Sequence, residues 1–246
     1  MLTPHIRGFV VGLLIVGTAG PASAQAVSPP SILVNSGFTT APDGSVYVLD
    51  SVMFPVINAS GQIAFRATLS GSSSPTGIIA GAPGSLQIVA RQGDAAPSGG
   101  NFSTLSDPVL NANGQVAFFA NTSVNGGGHF ARTLGFPMTT AALVGSPSPT
   151  GDNYSVINTN PVINSAGQVA LLANLNTAGA GTQGIFAGTP GTTLTTAALL
   201  GNPAPGGGNY QQLTRPAINE AGKVLFRASL TPPCQCDLRQ LPRCNY

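Results

Sequence analysis

The sequence predicts an all-β protein built as a β-propeller-like tandem repeat of four-stranded antiparallel units, about three and a half of them, with a β-solenoid as the alternative. Three observations carry this. Short apolar runs of Val, Ile, Leu and Phe recur between Gly and Pro punctuation; one eight-residue pattern occurs four times; and its copies are almost evenly spaced.

The copies are Asn58 to Phe65 (Asn-Ala-Ser-Gly-Gln-Ile-Ala-Phe), Asn111 to Phe118, Asn164 to Leu171 and Asn219 to Phe226, and their leading asparagines lie 53, 53 and 55 residues apart. Each follows a Pro-apolar-apolar triplet beginning at Pro55, Pro108, Pro161 or Pro216. Further upstream is a second fixed turn, with Pro42, Pro97, Pro149 and Pro205 each followed two residues later by Gly44, Gly99, Gly151 and Gly207. Downstream, runs such as Gly77 to Gly81 and Gly184 to Gly188 precede a last apolar segment such as Leu86 to Ala90 or Ala197 to Leu200, so each full unit holds four apolar segments.

The Asn and Gly pairs Asn58/Gly61, Asn111/Gly114, Asn164/Gly167 and Asn219/Gly222 read as tight reversals. Asn hydrogen-bonds nearby amides from the first turn position, and Gly accepts a positive φ at the fourth. Each reversal joins the Pro-Val-Ile strand to the Gln-Val-Ala-Phe strand as a hairpin. Within the latter, Ile63 and Phe65 point to one face and Ala64 to the other, because side chains alternate along a strand. Large residues on one face and small ones on the other suit a sheet packed on both sides, which a unit achieves only by stacking on neighbours.

These octets resemble the bacterial exported tandem-repeat family named for its NxxGxxAF motif (choice-of-anchor type), in which repeats follow an export signal and precede varied surface-anchoring segments. The likeness covers about residues 41 to 230. It implies an exported or surface-displayed protein of unknown biochemical role and brings no catalytic residues to this chain.

Residues 1–24 read as a secretory signal: a short polar start with His5 and Arg7, an apolar run from Gly8 to Gly17, and Ala22-Ser23-Ala24 as the cleavage site. Mature protein is expected from Gln25. The apolar run is too short to remain as a spanning helix. Residues 25–40 follow, where Ile32 to Gly37 resembles a unit-ending strand and is a candidate for closing a sheet begun elsewhere. The repeat domain, 41–230, divides at 41–95, 96–147, 148–203 and a partial 204–230. The tail, 231–246, contains Cys234, Cys236 and Cys244 and no repeat signature, and is expected to reflect a truncated or frame-shifted product, a distinct natural tail being the alternative.

Gly (32) and Pro (21) are abundant enough to suggest disorder, but a 42% hydrophobic content supplies the apolar surface that disordered chains lack. Charged residues are only 7%, and without Arg7 the formal net charge falls from +2 to +1. Such a chain has no electrostatic footprint for nucleic acid.

Chemistry-bearing residues are few. His129 is the one histidine of the mature chain, and six acidic residues, Asp43, Asp50, Asp94, Asp107, Asp152 and Glu220, lie at non-equivalent positions before the tail. They read as turn residues rather than as a calcium site or a hydrolytic carboxylate pair. Cys-x-Cys with one further cysteine lacks a fourth metal ligand. No metal or cofactor is expected, and the chain is not expected to be an enzyme. One aromatic per unit, Tyr47, Phe102, Tyr154 and Tyr210, follows the Pro-x-Gly turn. These read as inter-unit core, with a carbohydrate-stacking platform as the alternative. The functional expectation is a secreted or cell-surface protein with a non-catalytic binding, adhesion or display role, its partner an extracellular glycan or surface protein. The alternatives are an extracellular polysaccharide-active enzyme or a lectin-like propeller.

Overall fold

The computed structural model describes residues 12–13, 31–32, 40–47, 53–70, 76–157, 159–176 and 182–231. The cysteine tail from residue 232, most of the export signal and most of the 25–40 segment lie outside the described residues. All regular structure is β, every paired ladder is antiparallel, and no helix occurs among the described residues. Gly12–Leu13 (β1) pairs with Ser31–Ile32 (β2).

Three equivalent sheets follow. The first holds Val46–Tyr47 (β3), Met53–Ile57 (β4), Ile63–Ser70 (β5), Thr76–Gly81 (β6) and Gln87–Arg91 (β7). The second holds Phe102–Leu105 (β8), Val109–Leu110 (β9), Gln115–Thr122 (β10), Gly126–Thr133 (β11) and Thr139–Leu143 (β12). The third holds Tyr154–Val156 (β13), Val162–Ile163 (β14), Val169–Leu175 (β15), Thr182–Gly188 (β16) and Thr195–Leu199 (β17). In each, the long β5, β10 or β15 pairs the following long strand on one side and two short segments on the other. A fourth, smaller unit holds Tyr210–Leu213 (β18), Ala217–Ile218 (β19), Val224–Leu225 (β20) and Ala228–Leu230 (β21), with β18 paired to β21 and β19 to β20.

Four strands per unit were expected, and five segments are found. In the second and third units the difference lies in the first strand, which breaks before the Pro-apolar-apolar triplet because proline has no N–H for the ladder; in the first unit Pro55 lies inside β4, at a shift of register against β5. In the second unit Ser106 seals the break: its N–H donates to the Phe119 carbonyl at 2.9 Å, and its hydroxyl accepts from the Phe119 N–H at 3.0 Å.

The predicted reversals are present. In each, the Gly N–H donates to the Asn carbonyl and the Asn N–H to the carbonyl of the residue at 62, 115, 168 or 223. The Pro-x-Gly turns also close small hairpins, through bridges Thr40↔Val46, Ala95↔Asn101, Pro147↔Asn153 and Pro203↔Asn209.

Both faces of each sheet are buried, as the large/small alternation requires. Ala64, Ile78, Ala80 and Val89 on one face of the first sheet pack with Phe102, Val116, Phe118 and Phe130 of the second. The opposite face of the second sheet supplies Ala117, Ala131 and Ala142 to clusters with Val169, Leu171 and Phe186 of the third. Ile185 and Ala198 of the third meet Leu213, Val224 and Phe226 of the fourth. Phe118 and Phe130 are fully buried with ring centroids 5.9 Å apart, and Phe102 meets Phe130 edge-on at 5.1 Å. Burial of each such ring stabilises by roughly 2–3 kcal/mol, so the units hold one another through oily faces.

Stacking also protects sheet edges. Arg132 donates to the carbonyls of Ile88 and Val89 at the edge of β7, and the Gly191 N–H donates to the Thr140 carbonyl at the edge of β12. Filled edges resist pairing with stray strands. On the fourth unit, β20 and β21 have no strand on their second side among the described residues, and Leu225 is 75% exposed. No closed barrel or closed propeller forms among the described residues.

Candidate functional site

The repeated asparagines do more than shape turns. Asn111 Oδ1 accepts the N–H groups of Asn113 (3.0 Å) and Gln115 (2.9 Å), while its Nδ2 donates to Gln115 Oε1 (2.7 Å) and to the Asn164 carbonyl in the next unit (2.8 Å). Asn58 Nδ2 donates likewise to the Asn111 carbonyl at 3.0 Å, and Asn164 Nδ2 to the Asn219 carbonyl at 2.9 Å. Asn111 and Asn164 are 4% and 2% exposed. The result is an asparagine ladder running from unit to unit along one end of the array.

Glutamine completes each rung. A Cβ at Gly114 would lie 2.7 Å from Gln62 Oε1, one at Gly167 2.5 Å from Gln115 Oε1, and one at Gly222 2.7 Å from Gln168 Oε1. The glycine is therefore needed twice, for φ near +79° at Gly167 and for room to admit the preceding unit's glutamine. Gly61 shares the positive φ, at +75°, but a methyl group added there would meet nothing within 4 Å. The pair gives a clean comparison. Gly61→Ala is expected to cost about 1 kcal/mol from left-handed backbone strain, whereas Gly167→Ala is expected to cost about 2 kcal/mol because it also displaces Gln115 from Asn111. Equal urea midpoints for the two variants would remove the glutamine from this account.

The four aromatic candidates are core. Tyr47 packs on Phe65 (5.8 Å between centroids), Phe102 on Phe118 (6.0 Å), Tyr154 on Phe186 (5.2 Å) and Tyr210 on Phe226 (5.9 Å). Tyr47, Phe102 and Tyr154 are 0–4% exposed and Tyr210 is half-buried. At three of the four positions the ring is buried against a phenylalanine of its own sheet, which supports the core reading over the stacking platform.

His129, on β11, is fully buried and crosses a unit boundary: its Nε2 bonds to the Thr159 carbonyl before β14. The carbonyl can only accept, so the proton sits on Nε2, and the buried Nδ1 has no hydrogen-bond partner. Phe119 meets the ring edge-on at 6.1 Å. Burial drives its pKa from 6.5 down to about 4, against the pull of the Thr159 carbonyl and with a smaller push from the Arg215 charge. The acids are occupied too. Asp107 pairs with Arg66 across the first boundary at 2.8 Å, and Asp43 and Asp94 pair with Arg91 at 3.1 and 3.3 Å. Burial pushes the Asp43 carboxyl up, but bonds from Ser45 and Arg91 outweigh it and hold the group below its usual range. No group of three metal-ligating side chains forms among the described residues, and no helix there is long and apolar enough to cross a membrane.

Clefts open at the unit boundaries. Between the second and third units, a cleft of about 540 Å³ lies among β12, the Pro147–Pro149 turn, Tyr154 and the Gly191–Leu194 loop. Its counterpart between the first and second units, about 340 Å³, is lined by Val89, Asp94, Pro97, Phe102, Arg132 and Met138.

Sequence reasoning missed the inter-unit reach of Asn and Gln and the His129–Thr159 contact. The Gln at the fifth motif position, present in three of four copies, was the available signal for the first; nothing local marked the second.

A family model described as "Family of unknown function (DUF7453)" matches residues 30–239. No curated protein matches the chain.

Proposed function

The chain belongs to this family of unknown function (DUF7453), and from that premise we propose that it is an exported or cell-surface repeat protein that binds or displays rather than catalyses. The observation that carries the reading is where the reactive groups are spent. His129 and three of the acids are engaged in holding unit boundaries and turns, so these four groups are committed to structure rather than poised for acid–base chemistry. What the array offers to a partner is a row of like units with clefts between them.

A propeller-like arrangement fits this reading better than a solenoid. The short strands β4, β9, β14 and β19 lie next to one another in succession, as inner strands of blades do around an axis.

Export is tested by expressing the full-length chain in a bacterial host and fractionating it. The expected result is protein outside the cytosol with an N-terminus at Gln25; a cytosolic chain retaining Met1 to Ala24 would sink it. Binding is tested by retention of the purified chain on extracellular-polymer and cell-envelope fractions, with no release of soluble sugar. Hydrolysis of the polymer, or no retention on either fraction, would overturn the non-catalytic binding reading.

A further inference from the structure

The larger of the two clefts is built for a particular ligand chemistry, an inference that rests on the binding reading just given. Its greater size has a local cause. On β11, Arg132 stands opposite Val116, whereas on β16 the equivalent position opposite Val169 is Gly188. The guanidinium that reaches over the β7 edge in the smaller cleft therefore has no counterpart in the larger one.

Its lining is also chemically distinct. No Asp, Glu, Lys, Arg or His contributes to it, while Ser98, Thr140, Ser146, Thr192 and Thr193 bring five hydroxyls around Ala and Leu side chains. One of these is orphaned: Ser98 Oγ is buried and has no hydrogen-bond partner. A buried hydroxyl without a partner is rare enough in folded proteins to call for an explanation, and a ligand polar group is one.

We propose that the cleft between the second and third units binds a neutral saccharide. Sugar hydroxyls donate and accept in the same way as serine and threonine hydroxyls, and the C–H faces of the ring suit the apolar floor from Ala142 and Leu194. An anionic ligand would enter without a cation to meet it. An apolar ligand would desolvate hydroxyls and leave them unpaired. An extended peptide would seek the β12 edge, but the Thr140 carbonyl there is already taken by the Gly191 N–H. The volume lies within the ordinary range for a small-ligand site.

The experiment measures binding of the purified chain to maltotriose, cellotriose and mannotriose, with trigalacturonate as the acidic comparison. At least one neutral trisaccharide is expected to bind, at least tenfold more tightly than trigalacturonate. Thr193→Arg, which puts a long cation into the cleft from an exposed position, is expected to weaken that binding at least tenfold, and Ser98→Ala about threefold. Thr196→Arg, exposed on β17 outside the cleft, is expected to change nothing, and thermal midpoints are read alongside so that a misfolded variant is recognised. Neutral-sugar binding that survives Thr193→Arg in a folded protein would place the ligand elsewhere and overturn the cleft while leaving the binding reading intact. Preference for trigalacturonate, or no binding to any of the neutral sugars, would overturn the cleft as a neutral-saccharide site; the binding reading is then decided separately by the envelope and polymer retention test.

Discussion

Replacing Asn111 by alanine is expected to destabilise the array by about 3 kcal/mol, seen as a thermal midpoint lower by roughly 6–12 °C. The change removes two acceptor bonds inside the turn and two donor bonds, one of which joins the next unit. It also leaves the Gln115 carboxamide without its Asn111 donor at a site only 4% exposed at Asn111. Asn219→Ala makes the internal control. Asn219 keeps the turn bonds, accepting from Ala221 and Lys223, but is exposed, and its Nδ2 makes no bond to a further unit among the described residues. That variant is expected to cost about 1 kcal/mol, the ordinary loss for a turn side chain. If both asparagines cost the same, the ladder contributes nothing beyond its turns.

Acid is expected to weaken the protein through His129 before the carboxylates titrate. The folded state holds this imidazole neutral down to a pKa of about 4, whereas in the unfolded chain it titrates at 6.5. As pH falls below 6.5 the unfolded chain takes up a proton that the folded one refuses. Stability is therefore fully present above 6.5 and is lost on acidification, by about 2 kcal/mol at pH 5 and roughly 3 kcal/mol at pH 4. The physical cause is plain from the surroundings: the Phe119 edge on one side, the Arg215 charge nearby, and no acceptor for a second N–H at Nδ1. Equivalent positions in the first and third units carry Ile78, opposite Arg66, and Ile185, opposite Leu172. His129→Ile is accordingly expected to flatten the dependence between pH 7 and 5. Urea midpoints at pH 7, 6 and 5 for both proteins decide the matter; a wild-type midpoint that does not move, or a variant that moves as much, would refute the assignment.

The hairpins were legible because their signals are local. Asn58 and Gly61 state a reversal within four residues, and alternation in Ile63-Ala64-Phe65 states a sheet covered on both sides; both readings match what the strands do. The inter-unit bonds were not legible for the opposite reason. A reader of Asn111 sees a turn, and only the stacked neighbour, 53 residues away, reveals where the amide points. Position 62 reads as the start of a strand, although a glutamine kept there in three copies is more than a strand start requires. The break in the first strand of the second and third units follows from Pro108 and Pro161, whose missing N–H is visible but whose effect depends on how the flanking segments share one partner strand. Tyr154 carries two readings in the sequence, and its edge-on contact with Phe186 supports the core one. The cleft depends on a glycine standing in register with an arginine of the neighbouring sheet, which no linear motif encodes.

The ladder also has a bearing on how such a gene can change. Each rung is made by the same few atoms and refers only to the next module along, so inserting a whole extra module between two existing ones adds one rung of the same kind to the ladder and breaks none of its pattern. Inserting a fraction of a module puts a mismatched turn against the waiting glutamine. Length can drift among descendants in integer steps, and recombination between copies of the octet is its natural route.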